Sequence, residues 1–188
     1  AIPGLKVAMP STPADAKGLL ATAIRDDDPV IFFEHKTLYT ISGDVPDDEY
    51  LVPFGKARIV SEGNDCTLVA TGRMVSFCEN AAQALAEDGI TCDIIDPRTT
   101  SPLDEDAILD SVEKTGRLVV VDETPPRCSF AADIAALAAG EVFSSLKAPV
   151  RQITGPHSPV PFAKELEGEF VPSPTKIRDA VSEVVNFK

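Results

Sequence analysis

The chain has 188 residues, of which 44% are hydrophobic, and carries a formal net charge of −13. This length and composition predict a globular protein with one domain, or with one domain and a piece of another. The strong negative charge, which no Lys/Arg cluster offsets, argues against nucleic-acid binding and against binding to an anionic membrane surface. No apolar run approaches the roughly 20 residues of a membrane span, and nothing in the sequence directs the chain out of the cytoplasm.

The first 38 residues predict a short strand-helix-strand unit. Thr12 is a typical N-cap, Pro13 suits the first helical position, and Asp15 lies near the positive end of the helix dipole. The helix should end near Arg25, and residues 30–33 read as a buried strand. Because such a unit cannot bury its own sheet edges, we expect residues 1–38 to be the last part of a larger α/β domain whose beginning is absent.

Three acids follow the end of this helix, where the dipole is negative and each costs a few tenths of a kcal/mol. A positive charge nearby would remove the conflict. The carbonyl of Ala23 with the carboxylates of Asp26 and Asp28 would form an all-oxygen site suited to a hard cation. The alternative is a hydrated acidic loop.

Residues 39–55 have no sustained period and contain several glycines, prolines and acids, which predicts an acidic linker. Residues 56–188 then alternate between strands and helices. Strands are predicted over 66–70, 91–95, 118–121 and 150–153, and helices over 74–87, 103–114, 130–139 and 175–186. This alternation is typical of a mostly parallel sheet with right-handed crossovers and helices on both faces.

The carboxyl end of the strand at 118–121 is the first place to look for a site, because ligands usually bind at that edge of an open α/β sheet. Asp122, Glu123 and Arg127 follow the strand. Adjacent strand residues point to opposite faces, so the two acids are not expected to converge as an acid-base pair. Ordering of the loop by Arg127 or by a helix N-terminus is the favoured role.

Two further signals have ordinary explanations. Thr71-Gly72-Arg73 follows a strand and opens a helix, but neither G-x-G-x-x-G nor a P-loop is present, so a tight turn is favoured over a phosphate site. His157 lies in a rigid, proline-rich loop without a visible nucleophile or carboxylate partner, which favours a structural or interface role.

The cysteines are scattered without a C-x-x-C pair, and the only histidines, His35 and His157, lie far apart in the sequence. Reduced thiols are therefore favoured over a zinc site or a disulfide framework. The cysteines are Cys66, Cys78, Cys92 and Cys128.

Several long segments, in order, resemble β subunits of thiamine-diphosphate-dependent 2-oxo acid dehydrogenase complexes. They are PGLKV (3–7), PSTPADAKGLL (10–20), PVIFFEHK (29–36), PFGKA (53–57) and DPRTTSPL (96–103). Within that group, VDETPPRCSFAADIA (121–135) and PHSPVPF (156–162) are most similar to acetoin dehydrogenase β subunits. Pyruvate-type subunits usually carry an acid at the position of His157.

The resemblance implies an α/β fold: a transketolase C-terminal-like domain over 56–188, preceded by a linker over 39–55. Residues 1–38 would be the last strand-helix-strand portion of a thiamine-pyrimidine-binding domain. The intact enzyme would bind thiamine diphosphate with Mg²⁺, cleave acetoin and pass the two-carbon unit to a lipoyl group. The family's activating glutamate would precede Ala1, so no catalytic or cofactor-binding residue is assigned in this chain.

The resemblance also implies partners and a metal site. The partners would be an α subunit, a second β subunit and a lipoyl acyltransferase core, whose docking site maps onto Lys147, Phe187 and Lys188. Relatives carry an acid at position 147, so the pairing of charges there would differ. The family's metal, often K⁺, maps onto Ala23, Asp26 and Asp28.

Three alternatives stay open. The first is a β subunit that acts on pyruvate or a branched-chain 2-oxo acid. The second is a non-catalytic assembly module, and the third is a small nucleotide-binding protein.

Overall fold

A computed structural model describes residues 2–188 and shows two adjoining sheets flanked by helices. The N-terminal part contains β1 (Lys6–Ala8), α1 (Pro13–Arg25), β2 (Val30–Phe32) and a 3₁₀ helix at Lys36–Thr40. Strands β1 and β2 are parallel. Thr12 is the N-cap of α1, since its hydroxyl accepts from the Asp15 N–H at 3.1 Å, so the predicted helix and its start are confirmed.

The remainder alternates strands and helices as predicted, with additional short elements. These are β3 (Arg58–Ser61), β4 (Cys66–Ala70), α2 (Arg73–Glu87), β5 (Cys92–Asp96), β6 (Thr99–Ser101), α3 (Glu105–Thr115), β7 (Leu118–Asp122), α4 (Phe130–Glu141), a 3₁₀ helix (Phe143–Ser145), β8 (Arg151–Thr154), α5 (Lys164–Phe170) and α6 (Pro174–Val185). The main sheet has the order β3-β5-β4-β7-β8. Only β3 runs antiparallel to its neighbour.

The main sheet is covered on both faces, as predicted. Leu68 of β4 packs in a cluster with residues of α2 and α6 on one face. The next residue, Val69, packs in a second cluster with residues of α3 and α4 on the other face. Side chains alternate along a strand, and all five residues of β4 are buried, so this strand lies at the centre of both layers.

The two parts of the chain share a sheet, which the sequence did not predict. Strand β6, from the main part, pairs antiparallel with β1 and becomes the third strand of the N-terminal sheet. The N-terminal part is thereby tied to the rest of the molecule by backbone hydrogen bonds.

The predicted linker has no helix or strand in residues 41–57, but it is fixed along α1. The Val52 N–H donates to the Gly18 carbonyl at 3.2 Å, and the Tyr50 hydroxyl donates to the Ala14 carbonyl at 2.6 Å. A side chain at Gly18 would meet Val52 at 2.5 Å and Tyr50 at 2.7 Å, so glycine permits this close approach.

None of the helices within residues 2–188 combines the length and the apolar character that a membrane span needs.

Candidate functional site

One cleft lies at the carboxyl ends of two pairs of parallel strands, one pair from each sheet. Its walls are formed by the residues that follow β1, β2, β4 and β7, and its volume is about 200 Å³. In open α/β sheets this edge is the usual place for ligands and partners. The lining residues are Met9, Pro10, Phe33, Glu34, His35, Thr71, Gly72, Arg73, Met74, Asp122, Glu123 and Thr124.

A His-Glu-Arg cluster spans this cleft. His35, after β2, places Nε2 at 2.8 Å from Glu123 Oε2, after β7. Arg73, at the start of α2, places Nη1 at 3.6 Å from Glu123 Oε1 and lies over the ring of Phe77, 4.7 Å from its centroid. The cluster therefore joins the N-terminal part to two elements of the main sheet.

The hydrogen bonds assign the tautomer of the neutral imidazole. The Thr37 N–H donates to His35 Nδ1 at 3.3 Å, so Nδ1 carries a lone pair. The proton of the neutral ring is then on Nε2, which donates to the Glu123 carboxylate. The arrangement orients the imidazole towards the Glu123 carboxylate.

The sequence singled out Glu123 but missed its partner His35, because 88 residues separate the two. His35 follows β2 and Glu123 follows β7, strands of two different sheets, so no local sequence pattern marked the pair.

Asp122 orders the loop after β7. Its carboxylate accepts from the Thr124 N–H at 3.0 Å and from the Ala131 N–H, in the first turn of α4, at 3.2 Å. The prediction of a loop-ordering role through a helix N-terminus is therefore confirmed. Arg127 is exposed.

The remaining local predictions have plain outcomes. Gly72 is the N-cap of α2 with a φ of 53°, so the Thr71-Gly72 segment is the predicted tight turn and favours glycine. His157 is exposed in the loop after β8.

The positive charge expected beside the acids after α1 is present as a lysine. Lys6 Nζ lies 2.7 Å from Asp26 Oδ1 and 3.0 Å from Asp28 Oδ2. The hydrogen bond from Lys6, followed by that from the Asp28 N–H, lowers the pKa of Asp26. The Ala23 carbonyl accepts from the Asp26 N–H at 3.4 Å.

These residues fit an ion pair better than a metal site, since the ammonium already lies between the two carboxylates. Among residues 2–188, no group of three or more His, Cys, Asp or Glu side chains converges to hold a metal ion. The cation site at Ala23, Asp26 and Asp28 stays a prediction in which K⁺ must displace Lys6.

The predicted docking residues Lys147 and Phe187 line one apolar groove of about 500 Å³. Phe143, which is 71% exposed, lies on the same groove. Lys147 Nζ donates to the Thr115 carbonyl at 3.3 Å, at the negative end of α3. Lys188 is exposed at the end of the chain.

A second polar cluster, which no sequence pattern indicates, lies where the two parts of the chain meet. Arg98 Nη1 lies 3.1 Å from Asp15 Oδ1 of α1. Arg58 of β3 lies 3.3 Å from the same carboxylate and 3.4 Å from Asp96 of β5. Burial is the largest influence on Asp96 and raises its pKa, although the Ser11 hydroxyl and Arg58 act in the opposite direction.

The four cysteines are free thiols, and Cys128 alone is exposed. Burial raises the pKa of Cys92 to about 12 and also raises the pKa values of Cys66 and Cys78. These three thiols are therefore protonated at neutral pH and are not nucleophiles.

The fold places the molecule in the transketolase class of α/β proteins. It superimposes with a TM-score of 0.81 on the solved "Split gene transketolase, inactive beta4 tetramer", covering 100% of this chain and 59% of that one at 20% identity. The chain belongs to the family "Transketolase, C-terminal domain", whose profile matches residues 55–177. Residues 1–42 match the family "Transketolase, pyrimidine binding domain".

Comparison with three curated proteins of Bacillus subtilis shows which members of the transketolase class the chain is most similar to among these. The chain is 54% identical to "Acetoin:2,6-dichlorophenolindophenol oxidoreductase subunit beta", over 98% of its own length and 54% of the relative's. It is 43% identical to "2-oxoisovalerate dehydrogenase subunit beta" and 42% identical to "Pyruvate dehydrogenase E1 component subunit beta", covering 98% of this chain and 57% of each relative. The chain thus spans about half the length of the curated relatives it matches. The predicted resemblance to acetoin dehydrogenase β subunits is confirmed.

Proposed function

We propose that the chain is the C-terminal part of the β subunit of a thiamine-diphosphate-dependent acetoin dehydrogenase. The intact enzyme would cleave acetoin and transfer the two-carbon unit to a lipoyl group in the cytoplasm. The observation that carries the proposal is the identity of 54% to the acetoin enzyme's β subunit, against 43% and 42% for the β subunits of the other two dehydrogenases. We assign residues 1–38 to the pyrimidine-binding domain, 39–55 to a connection and 56–188 to the transketolase C-terminal-like domain.

The cofactor would be held elsewhere in the intact enzyme. Thiamine diphosphate with Mg²⁺ supplies the carbanion chemistry when bound. We assign no residue of this part to thiamine diphosphate or Mg²⁺. We therefore derive no step of the dehydrogenase reaction from this part of the chain.

The contribution of this part would be assembly. In the proposed α2β2 enzyme, the main domain would meet an α subunit and a second β subunit. The groove at Lys147 and Phe187 would receive the acyltransferase core with Lys188 at its margin, because exposed aromatic side chains at an apolar groove are typical binding anchors.

The substrate test uses the full-length β subunit combined with its α subunit. Thiamine-diphosphate-dependent reduction of 2,6-dichlorophenolindophenol would be followed with acetoin, pyruvate and 2-oxoisovalerate. We expect kcat/KM to be highest for acetoin. A higher kcat/KM for either 2-oxo acid would replace the acetoin assignment with the corresponding dehydrogenase.

A second candidate is a non-catalytic assembly module, favoured by the fold's likeness to a transketolase described as an inactive β4 tetramer. We expect the chain alone to be inactive under either reading. Turnover of the full-length subunit after mixing with the α subunit would argue against the assembly module. Binding to the acyltransferase core without turnover would support it.

The K⁺ proposal can be tested through its competitor. Lys6→Met removes the ammonium from between Asp26 and Asp28, so K⁺ is expected to raise the melting temperature of the variant more than Na⁺ does. An equal response to both salts in the variant would reject a selective K⁺ site. Lys6→Arg, which keeps the positive charge, is the control.

A further inference from the structure

A chain of three groups, a hydroxyl, an imidazole and a carboxylate, runs through His35. Its Nδ1 atom lies 2.8 Å from the Thr37 hydroxyl oxygen, and its Nε2 atom lies 2.8 Å from Glu123 Oε2. The Thr37 N–H donates to Nδ1 at 3.3 Å and so fixes this nitrogen as an acceptor. The Thr37 hydroxyl therefore donates its proton to Nδ1, while the Nε2–H donates to the carboxylate.

This order of groups is the one that activates a hydroxyl as a nucleophile. The base must lie within hydrogen-bond reach of the hydroxyl, and a third group must orient the base. The imidazole of His35 and the carboxylate of Glu123 meet these two conditions. Thr37 is exposed, whereas the side chains of His35 and Glu123 are 31% and 27% exposed. The hydroxyl is thus open to a reactant, and the two groups behind it are partly shielded from water.

Helix capping alone explains only one of these contacts. His35 is the N-cap of the 3₁₀ helix Lys36–Thr40, and in that role its side chain accepts from the Thr37 N–H. The cap requires neither the shorter contact with the Thr37 hydroxyl nor the carboxylate of Glu123, which lies 88 residues away in the sequence.

Thr37 also lines a pocket of about 570 Å³ between the N-terminal part and α2. This volume suits a small molecule. Arg73 is the one Lys or Arg among the lining residues, and its guanidinium lies over the ring of Phe77. A cation in this pocket can stabilise the negative charge that develops on an attacked carbonyl oxygen. The apolar lining residues are Pro13, Ala14, Leu38, Ile41 and Phe77.

The charges of the pocket favour a neutral reactant. Asp44 and Glu79 line it together with Arg73, so two carboxylates face one guanidinium. An anionic substrate would be repelled by the two acids. A short, uncharged acyl group would instead contact the apolar lining.

We propose that Thr37 is the nucleophile of a hydrolytic site for neutral, short-chain acyl esters. Thr37 Oγ1 attacks the acyl carbon as its proton passes to His35 Nδ1. The ester C–O bond breaks, and the leaving alcohol takes that proton from Nδ1. Water then gives a proton to Nδ1 and attacks the acyl-threonine, which releases the carboxylic acid and restores the Thr37 hydroxyl. Glu123 is a positioning residue that orients the imidazole and stabilises its protonated form.

The test follows hydrolysis of p-nitrophenyl acetate by the full-length β subunit without thiamine diphosphate. Thr37→Ala is expected to lower turnover above the buffer blank about 100-fold, because the base has no hydroxyl to activate. Thr37→Ser keeps a hydroxyl and should retain most of the activity. Thr40→Ala is the matched control and should leave the rate unchanged. Thr40 lies in the same 3₁₀ helix, but its hydroxyl donates to the Thr37 carbonyl at 3.3 Å.

Glu123→Gln tests the positioning role. The amide cannot stabilise the protonated imidazole as a carboxylate does, so we expect a lower kcat with an unchanged KM. A higher KM with an unchanged kcat would show that Glu123 only shapes the pocket, and would contradict the role given to it.

The covalent step can be observed directly. Acid quenching during turnover, followed by mass spectrometry of peptides, locates the transferred acetyl group, and we expect it on Thr37. Acetyl groups on exposed Cys128 or on lysines, with none on Thr37, would overturn the inference. Full activity of Thr37→Ala, or no hydrolysis by wild type, would overturn it as well. Because no thiamine diphosphate enters the reaction, these outcomes are independent of the proposed dehydrogenase function.

Discussion

At the scale of single residues, Lys6 resolves the conflict between the acids after α1 and the helix dipole. Its ammonium contacts both Asp26 and Asp28, and this contact raises the pKa of Lys6 and lowers that of Asp26. The ionised form of Asp26 is therefore more favoured in the folded state than in the unfolded state, and its ionisation stabilises the fold. Its stabilisation is present above the unfolded pKa of about 3.9 and is lost as the pH falls through the lower, folded pKa.

Asp26→Asn should lower the free energy of unfolding at neutral pH. The difference from wild type should shrink as the pH falls through the folded pKa of Asp26, because wild type then loses the same ion pair. Urea unfolding at neutral pH and at a pH below that pKa checks this expectation. Asp27→Asn is the control, since Asp27 is exposed between the two carboxylates that contact Lys6. A difference that grows as the pH falls would contradict the account.

His35 and Glu123 give a prediction for the cleft. His35→Phe keeps a ring but removes the 2.8 Å contact with Glu123, which the sequence never suggested. Each side chain is about one-third exposed or less, so we expect a loss of about 1 kcal/mol in the free energy of unfolding. Amide exchange in residues 33–38 should increase more than exchange in β4. Equal exchange in wild type and variant would contradict a role for this contact in holding the N-terminal part.

At the scale of elements, a close approach between two backbone segments decides whether a side chain can replace a glycine. A Cβ at Gly63, before β4, would lie 2.3 Å from the Cys92 backbone nitrogen. The Gly63 N–H also donates to buried Asp93 at 2.7 Å. Cys92 and Asp93 belong to β5, so their backbone cannot move away without disturbing that strand. A side chain at position 63 would therefore clash, and glycine is required there.

Gly63→Ala should therefore lower the free energy of unfolding by about 3 kcal/mol or more. Gly140→Ala, in α4, should raise it by about 0.5–1 kcal/mol, because Gly140 has open space around it and alanine has the higher helix propensity. Thermal unfolding of both variants tests the pair. Similar effects of the two substitutions would contradict the packing argument.

The elements that the sequence predicted well are those with a strong local pattern. Helix α1 has Thr12 and Pro13 at its start, and β7 is a continuous apolar run buried on both faces. Strand β6, Thr99–Ser101, consists of three polar residues, so no local apolar pattern marks it. Its partner β1 lies more than 90 residues earlier in the sequence. The sequence also did not predict strand β3 or helix α5, because both are too short to show a clear periodic pattern.

At the scale of the whole molecule, shared hydrogen bonds and buried ion pairs hold the two parts together. Strand β6 completes the N-terminal sheet, and Arg98 bridges Asp15 and the Lys56 carbonyl, with Nη2 at 2.7 Å from the carbonyl oxygen. The residues of this junction lie far apart in the sequence. Their pairing depends on the packing of the two parts, so the sequence could predict both parts but not the contact between them.

Arg98→Met should uncouple the two parts. It leaves buried Asp15 with one arginine partner, Arg58, instead of two, at an expected cost of about 2 kcal/mol in the free energy of unfolding. Amide exchange in α1 and β1 should rise while β4 and β7 stay protected. Arg178→Met is the control, because Arg178 is exposed on α6 and pairs only with its neighbour Asp179 among the described contacts. A uniform rise in exchange across the molecule would contradict a role specific to the junction.

The proposal that this chain is part of a dehydrogenase β subunit can be tested on the native protein. The most direct measurement is the intact mass of the native product, captured from its source with an antibody to this chain, together with the identities of the proteins that co-purify. We expect a parent chain nearly twice this length, because the chain covers 54–57% of the three curated relatives compared above. We also expect an α subunit and a lipoyl acyltransferase to co-purify. A native chain of this length without those partners would contradict the claim and leave an assembly or binding module.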